Sequence, residues 1–263
     1  MKILFLGDIV GKKGREVIRD FLPLIKRDYN PDFTIMNAEN AAHGKGLTIK
    51  IYNELLNYGA DALTMGNHTF SKKEILLHLD EMDKLICPVN HIDGMGEGYR
   101  IFKVNDKKLC VINVLGRLTQ EEYTTDPYEA LDAIFEDTKD LNIDMYFIDL
   151  HAEATAEKRV LAEVYKDKCI AVLGTHTHIQ TADEQILDGC AFMSDVGMCG
   201  PFNSVIGRDI DECIRKMVYK EKTRFTVAET DPVLCGALIE IDDETNRAIN
   251  IERIQIRPKD KRI

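Results

Sequence analysis

Seven residues spread along the chain have the types needed for metal chemistry: Asp8, Glu39, Asn40, Asn67, His151, His176 and His178. Asp8 and Glu39 offer hard anionic oxygens, Asn40 and Asn67 neutral oxygens, and the histidines imidazole nitrogens. A mixed nitrogen and oxygen set with no thiolate suits iron, manganese or zinc at a reactive centre better than a structural zinc site. Seven candidate ligands exceed what one tetrahedral ion uses, so two ions fit better than one. Two cations about 3.5–4 Å apart can share a water, lower its pKa towards neutrality and orient phosphate oxygens for in-line attack. His176 and His178 are separated by one residue, and an extended segment there would project both imidazoles from the same face.

Each residue alone has a plainer reading, because Asp and Asn after a strand commonly form turns or cap helices. Their positions argue against coincidence. Four apolar runs end in polar residues: FLGD at Asp8, IMNAEN at Glu39 and Asn40, TMGNH at Asn67 and His68, and FIDLH at His151. A fifth, Ala171 to Leu173, runs into GTHTH. In open α/β sheets ligands bind beyond the carboxyl ends of strands, so these five ends are expected to converge.

The elements that must position them follow from the spacing of apolar residues. Ile3 to Leu6 reads as a strand before a helix over about Arg15 to Arg27. Phe33 to Met36 precedes Thr48 to Leu56, Ala62 to Met65 precedes a helix-like Lys72 to Leu79, and Met145 to Ile148 precedes Ala156 to Tyr165. This alternation predicts a layered α/β fold. Tyr99 to Leu115 reads as a hairpin turning at Asn105 to Lys107. Arg224 to Ile256 reads as several strands with a turn around Asp242 to Asn246, and both regions are expected to supply antiparallel strands. No Pro/Ser-rich linker and no internal repeat breaks the chain, which predicts a single domain over residues 1–263.

Composition fits this frame. The 263 residues, 44% hydrophobic and 30% charged, suffice for a substantial core. A net charge of −11, spread along the chain, disfavours duplex nucleic acid as a partner. A small anionic substrate stays compatible, since bound cations reverse the field within a cleft. The seven cysteines are odd in number and include no C-x-x-C, as in reduced cytoplasmic proteins. The N-terminal MKILFLGDIV is broken by Asp8, and no segment reaches spanning length, so a cytoplasmic protein with no membrane partner is expected. Homo-oligomerisation is compatible with all of this.

Other marked residues carry less. His78 reads as a surface or boundary histidine, His91 has no motif around it, and His43 in the His43-Gly44-Lys45-Gly46 loop reads as solvated. GDIVGKK at Gly7 to Lys13 falls one residue short of a phosphate-binding P-loop, with Lys13 where Ser or Thr belongs. The glycine-rich Gly197 to Gly207 stretch reads equally as a loop near the site and as a plain connection. Met36, Met65 and Met193 read as core.

The motifs GDIVG (Gly7 to Gly11), NAEN (Asn37 to Asn40), GNHTF (Gly66 to Phe70), DLHAEAT (Asp149 to Thr155) and GTHTHIQTAD (Gly174 to Asp183) occur in this order, followed by SDVGMCGP (Ser194 to Pro201). By these the chain resembles the YmdB-like branch of the calcineurin-like metallophosphoesterases over nearly its whole length. It departs from the wider superfamily's D-x-H opening and G-D second motif, since Ile9 and Val10 follow Asp8 and Glu39 holds the second position; the branch accounts for both. The resemblance implies a four-layer α/β/β/α sandwich. It implies that Asp8, Asn40 and His178 hold one metal, that Asn67, His151 and His176 hold the other, that Glu39 bridges them and that His68 is the general acid. The implied cofactors are two divalent or mixed-valence ions, iron first, with manganese or zinc as alternatives. The implied activity is hydrolysis of small phosphodiesters, 2′,3′-cyclic nucleotides in particular, by a metal-activated hydroxide. The alternatives are a nucleotide phosphomonoesterase on the same core and a metal-bound regulatory scaffold with little turnover.

Overall fold

The first strand shows how both faces of a sheet come to be buried. In KILFL, Ile3 and Phe5 point to one side and join the core between the two sheets, while Leu4 and Leu6 point to the other and pack under helices. Strands covered on both faces read as continuous apolar runs instead of alternating ones. A computed structural model describes residues 1–118 and 124–257. The chain runs β1 (Lys2–Leu6), β2 (Asp8–Ile9), α1 (Gly11–Tyr29), β3 (Phe33–Asn37), α2 (Ile49–Tyr58), β4 (Ala62–Thr64), β5 (Leu85–Ile86), β6 (Tyr99–Val104) and β7 (Lys107–Leu115). It continues through α3 (Pro127–Thr138), β8 (Met145–His151), α4 (Thr155–Tyr165), β9 (Ala171–Thr175), β10 (Gln185–Leu187), β11 (Cys190–Met193), β12 (Met198–Pro201), α5 (Ile210–Met217), β13 (Pro232–Ile241) and β14 (Ala248–Ile256).

Two sheets result. One has the order β2-β12-β13-β1-β3-β4-β5, with β14 beside β13; the other has the order β10-β11-β9-β8-β7-β6. Within the first, β1, β3, β4 and β5 are parallel, and within the second so are β7, β8, β9 and β11. The inner faces meet around Ile3, Phe5, Ile35, Val111, Phe147 and Leu173. Phe5 and Phe147 touch edge to face across that interface, with ring centroids 5.2 Å apart, a pairing worth about 1 kcal/mol beyond its area. α1 and α2 cover the outer face of the first sheet, and α3 and α4 cover that of the second. These four layers are the expected α/β/β/α sandwich.

The helices form where the sequence gives them a face and an end. In α1, Val17, Ile18, Leu22 and Ile25 recur at helical spacing and are buried, and the chain leaves the helix through Asn30 in the left-handed region. Thr48 caps α2 by accepting from the Ile51 N–H, and Gly59, at φ 112°, ends it. Asp126 caps α3, with Pro127 at its first position.

Three expectations need correction. Lys72 to Leu79 is not an α-helix but successive short 3₁₀ turns, Lys73–Leu77 and Leu79–Glu81, because only Ile75 of that stretch is buried and no apolar stripe spans a second turn. Arg224 to Asp231 forms no strand beyond a single bridge between Arg208 and Val227; regular pairing starts at Pro232. The Gly197 to Gly207 stretch includes β12, which pairs with β2 and β13. The hairpin at Asn105 is as expected, with Asn105 itself at φ 54°.

Candidate metal centre

The parallel strands of both sheets point their carboxyl ends the same way, and the seven candidate residues meet there. Asp8 follows β1 after Gly7, where a β-carbon would collide with the Gly197 backbone. Glu39 and Asn40 follow β3, Asn67 and His68 follow β4, His151 closes β8, and His176 and His178 follow β9. Asp8, Glu39, Asn40 and His151 are buried. Gly66 is required beside them, since a β-carbon there would run into the Glu39 carboxylate and the His151 ring.

Ligand atoms gather in two overlapping triads, Glu39–His151–His176 and Asp8–Glu39–His178, each with its atoms within 4.8 Å of one another. Glu39 belongs to both. Around His151 Nε2 lie Asn67 Oδ1 at 3.1 Å, Glu39 Oε2 at 3.2 Å and His176 Nδ1 at 3.0 Å. On the other side Asn40 Nδ2 lies 3.1 Å from His178 Nε2, and Asp8 Oδ1 lies 3.7 Å from the same nitrogen. The same Nδ2 donates to Glu39 Oε1 at 2.7 Å, so the Asn40 amide must turn over to present its oxygen to a cation there.

A bound cation fits these residues on two observations. Asp8 Oδ1 is buried without a hydrogen-bond partner, and a bare carboxylate oxygen in that state is costly. At His151 Nε2 three polar atoms converge on a nitrogen that has at most one hydrogen to give. Donors about 3 Å apart are what results when each sits about 2.1 Å from a shared ion. The rings are oriented for it as well. His178 Nδ1 donates to the Ile206 carbonyl at 2.8 Å, and His151 Nδ1 is paired with Thr175 Oγ1 at 2.9 Å, so each Nε2 faces the cluster.

Protonation reflects the crowding. Burial pushes Asp8 up to about 6. Burial would lower His151, but the charge and hydrogen bond of Glu39, then Asp8 and Asp149, push it up to about 9. For Glu39 burial acts upward and is outweighed by His151 and the His68 backbone N–H, leaving it below the usual carboxylate range. Burial and the neighbouring His151 hold His176 down at about 3, and burial also lowers His68. A ligating imidazole must be neutral, so protons and cations compete for His151.

His176 and His178 come within reach by a different route from the extended one expected. Both have positive φ, 99° and 66°, so the backbone doubles back after β9 to aim the rings. Ile206, which receives the His178 proton, sits at φ 46°. Left-handed residues other than glycine are strained, and strain of this kind gathers at functional sites. His68 lies beside the triads: its backbone N–H donates to Glu39 Oε2 at 3.1 Å, while its ring has no hydrogen-bond partner among the described residues.

Several supporting residues escaped the sequence reading although their motifs were marked. Asp149 accepts from Thr175 Oγ1 at 2.7 Å and from Asn37 Nδ2 at 2.9 Å, completing a chain that steers His151. Glu153 lies 3.1 Å from His176 Nε2. The signal for both was the polar run DLHAE at a strand end. Arg208 gave no signal at all: its half-buried guanidinium donates to the Gly44 carbonyl, lies near enough to Glu39 and His68 for their charges to interact, and makes no salt bridge among the described residues. His91 is buried with its ring edge-on to Phe70 at 4.9 Å, His78 pairs with Glu81 at 3.2 Å, and His43 is exposed as expected. All seven cysteines are buried and unpaired, and Met36, Met65 and Met193 lie in the core. No helix among the described residues is long and apolar enough to cross a membrane.

Known proteins resemble this chain in sequence and in fold. A model of the family described as YmdB-like protein matches residues 4–254. A Bacillus subtilis protein called 2′,3′-cyclic-nucleotide 2′-phosphodiesterase is 46% identical over 258 residues, covering 97% of each chain. A Mycoplasma genitalium protein called putative phosphatase/phosphodiesterase is 38% identical, covering 97% of this chain and 93% of that one. The crystal structure of a phosphatase from Mycoplasma pneumoniae superposes with a TM-score of 0.92 at 35% identity, covering 98% of this chain and 95% of that one.

Proposed function

The chain belongs to the YmdB-like protein family, and we propose that it is a metal-dependent phosphodiesterase that opens 2′,3′-cyclic nucleotides at the 2′ oxygen. The observation that carries this reading is the pair of triads sharing Glu39, one of which includes a buried Asp8 oxygen with no hydrogen-bond partner. Asp8, Asn40 and His178 would hold one divalent cation, Asn67, His151 and His176 the other, and Glu39 would serve both. Iron heads the candidates, with manganese or zinc as alternatives for the same donors. When bound, the two cations supply a nucleophile at neutral pH and positive charge for the phosphoryl oxygens.

The chain's own residues do the rest. Thr175 and Asp149 fix the His151 ring, and the Ile206 carbonyl fixes His178, so that both Nε2 atoms stay on the reacting side. His68 is held by its backbone to Glu39 while its ring remains free, as a proton donor requires. As the bond from phosphorus to the 2′ oxygen breaks, His68 gives its ring proton to that oxygen, and the ring is left neutral. Arg208 and Lys45 lie near enough for their charges to act on His68 and add to the positive field awaiting an anionic substrate. Ligands arrive from strands of both sheets, which supports residues 1–263 acting as one domain, and seven buried unpaired cysteines suit a cytoplasmic enzyme.

Metal analysis of protein purified without added metal, beside activity after chelation and readdition, tests the reading. We expect about two ions per chain and turnover of adenosine 2′,3′-cyclic phosphate faster than that of an aryl phosphate monoester. Fewer than one ion with no recovery on readdition, or a monoester rate exceeding the diester rate, would overturn it.

A further inference from the structure

Beside the metal centre lies a second polar cavity of ≈ 520 Å³, walled by the first turn of α1, the tip of the loop after Asn40 and the segment around Phe225. Lys12, Lys13, Lys72, Arg224 and His43 line it against one carboxylate, Glu229. Such a concentration of Lys and Arg side chains is unexpected in a chain of net charge −11. Lys72 and Arg224 make no salt bridge among the described residues, and Lys12 and Lys13 share a single partner, Glu16, at 3.6 and 3.5 Å. The start of α1 adds to the same field: it has no acidic residue in its first turn and no side chain capping it, so neither a carboxylate nor a capping side chain offsets the positive end of the helix dipole there. GDIVGKK is therefore no P-loop, yet its lysines belong to an anion-attracting surface.

Two walls of the cavity follow closely in the chain on residues of the metal centre. Gly11 comes three residues after Asp8 and His43 three residues after Asn40, so neither wall can lie more than about 10 Å of backbone from a ligand. The two walls are tied together where the Gly11 N–H donates to the Asn40 carbonyl at 3.0 Å. At Gly44 a β-carbon would meet both Arg208, whose charge is felt at Glu39, and Val227, which lines the cavity. This spacing suits two phosphates within one or two nucleotide units of each other.

We propose that this cavity binds a second phosphate of the substrate, the one on the 5′ side of the nucleotide whose cyclic phosphate is opened. The preferred substrates are then 5′-phosphorylated nucleotides or short oligonucleotides ending in a 2′,3′-cyclic phosphate, not free nucleoside 2′,3′-cyclic phosphates. The inference rests on the reaction proposed above. The negative remainder of the surface limits the length of such substrates, since longer polyanions meet repulsion outside the cavity.

The metal-loaded enzyme is assayed on adenosine 2′,3′-cyclic phosphate with and without a 5′-phosphate, and the variant carrying Lys12→Ala and Lys72→Ala is assayed on both. We expect the 5′-phosphate to lower KM about tenfold through charge-assisted contacts. We expect the variant to lose that preference while keeping its kcat on the 5′-hydroxyl form. Equal KM values in the native enzyme, or a preference that survives both Lys12→Ala/Lys72→Ala and Arg224→Glu, would overturn the proposal. So would inorganic phosphate raising turnover of the 5′-hydroxyl form to the level of the phosphorylated one, because the occupant would then be a free anion. If neither nucleotide is hydrolysed, the proposed reaction fails, and calorimetry still decides the cavity: tighter binding of the 5′-phosphorylated ligand, abolished in the variant, upholds it, and equal binding overturns it.

Discussion

Two buried ionic clusters flank Thr175 and are built to opposite specifications. On one side Lys158 donates to the Thr175 carbonyl at 2.8 Å and to Asp195 Oδ2 at 3.0 Å, and Asp195 also accepts the N–H groups of Thr177 at 3.0 Å and Gly197 at 2.9 Å. Every group there is partnered. On the other side the Thr175 hydroxyl joins Asp149 to His151, and beyond His151 the partners no longer suffice: three polar atoms press on one nitrogen, and Asp8 Oδ1 has none. Lys158 and Asp195 on one side and Asp8, Glu39, Asp149 and His151 on the other are almost wholly removed from solvent. A satisfied buried ion pair is a part of the scaffold, whereas an unsatisfied one beside it marks where something else binds.

Removing the residue common to both triads should break the comparison most severely. Glu39→Gln keeps the shape and deletes the charge that both halves share. We expect metal content to fall well below that of the native protein and kcat/KM to drop by about 10⁴ or more, since nucleophile and charge stabilisation are lost together. The fold should survive, because the glutamine keeps the shape and can still accept the His68 backbone N–H. Elemental analysis with steady-state kinetics checks it; near-native metal content with near-native activity would show that Glu39 is only structural.

The satisfied cluster should respond in the other currency. Lys158→Met leaves Asp195 buried and unpaired, which costs about 3–5 kcal/mol and lowers Tm by roughly 10 °C for a chain of this size. Metal bound per folded chain should hardly change. Adding Asp195→Asn should restore part of the Tm, as removal of the orphaned charge requires. If instead the single variant loses metal at unchanged Tm, the two clusters are one functional unit and the comparison fails.

The same contrast explains what could be read from the sequence. Strand ends and motif order located the site, because a carboxylate or histidine after an apolar run is chemically conspicuous. The layers were legible because β1, β3, β8 and β9 are continuous apolar runs that only a doubly covered sheet accommodates. Lys158 was not legible: it lies in a helix among Glu157, Arg159 and Glu163, and sequence cannot tell the one fully buried charged residue from three that keep some contact with solvent. Arg208 and Ile206 act across long sequence separations, on Gly44 and His178. The bent path of His176 and His178 depends on positive φ values that nothing in T-H-T-H specifies. Local pattern thus supplied the candidate ligands, and tertiary contacts bring them together.

The smallest of these effects separates ligation from proton transfer. His68 touches Glu39 only through its backbone N–H, so His68→Asn should leave both triads intact and metal content native. With no ring to protonate the departing 2′ oxygen, kcat should fall by about 10². The loss should be smallest for esters with good leaving groups, which need no proton, and largest for the cyclic nucleotide. Because burial holds the His68 ring below its ordinary value, the native kcat should decline as pH rises through a correspondingly low pKa, when the ring loses the proton it must give. That decline should vanish in the variant. Equal losses on good and poor leaving groups, or an unchanged pH profile, would return His68 to the role of a loop residue.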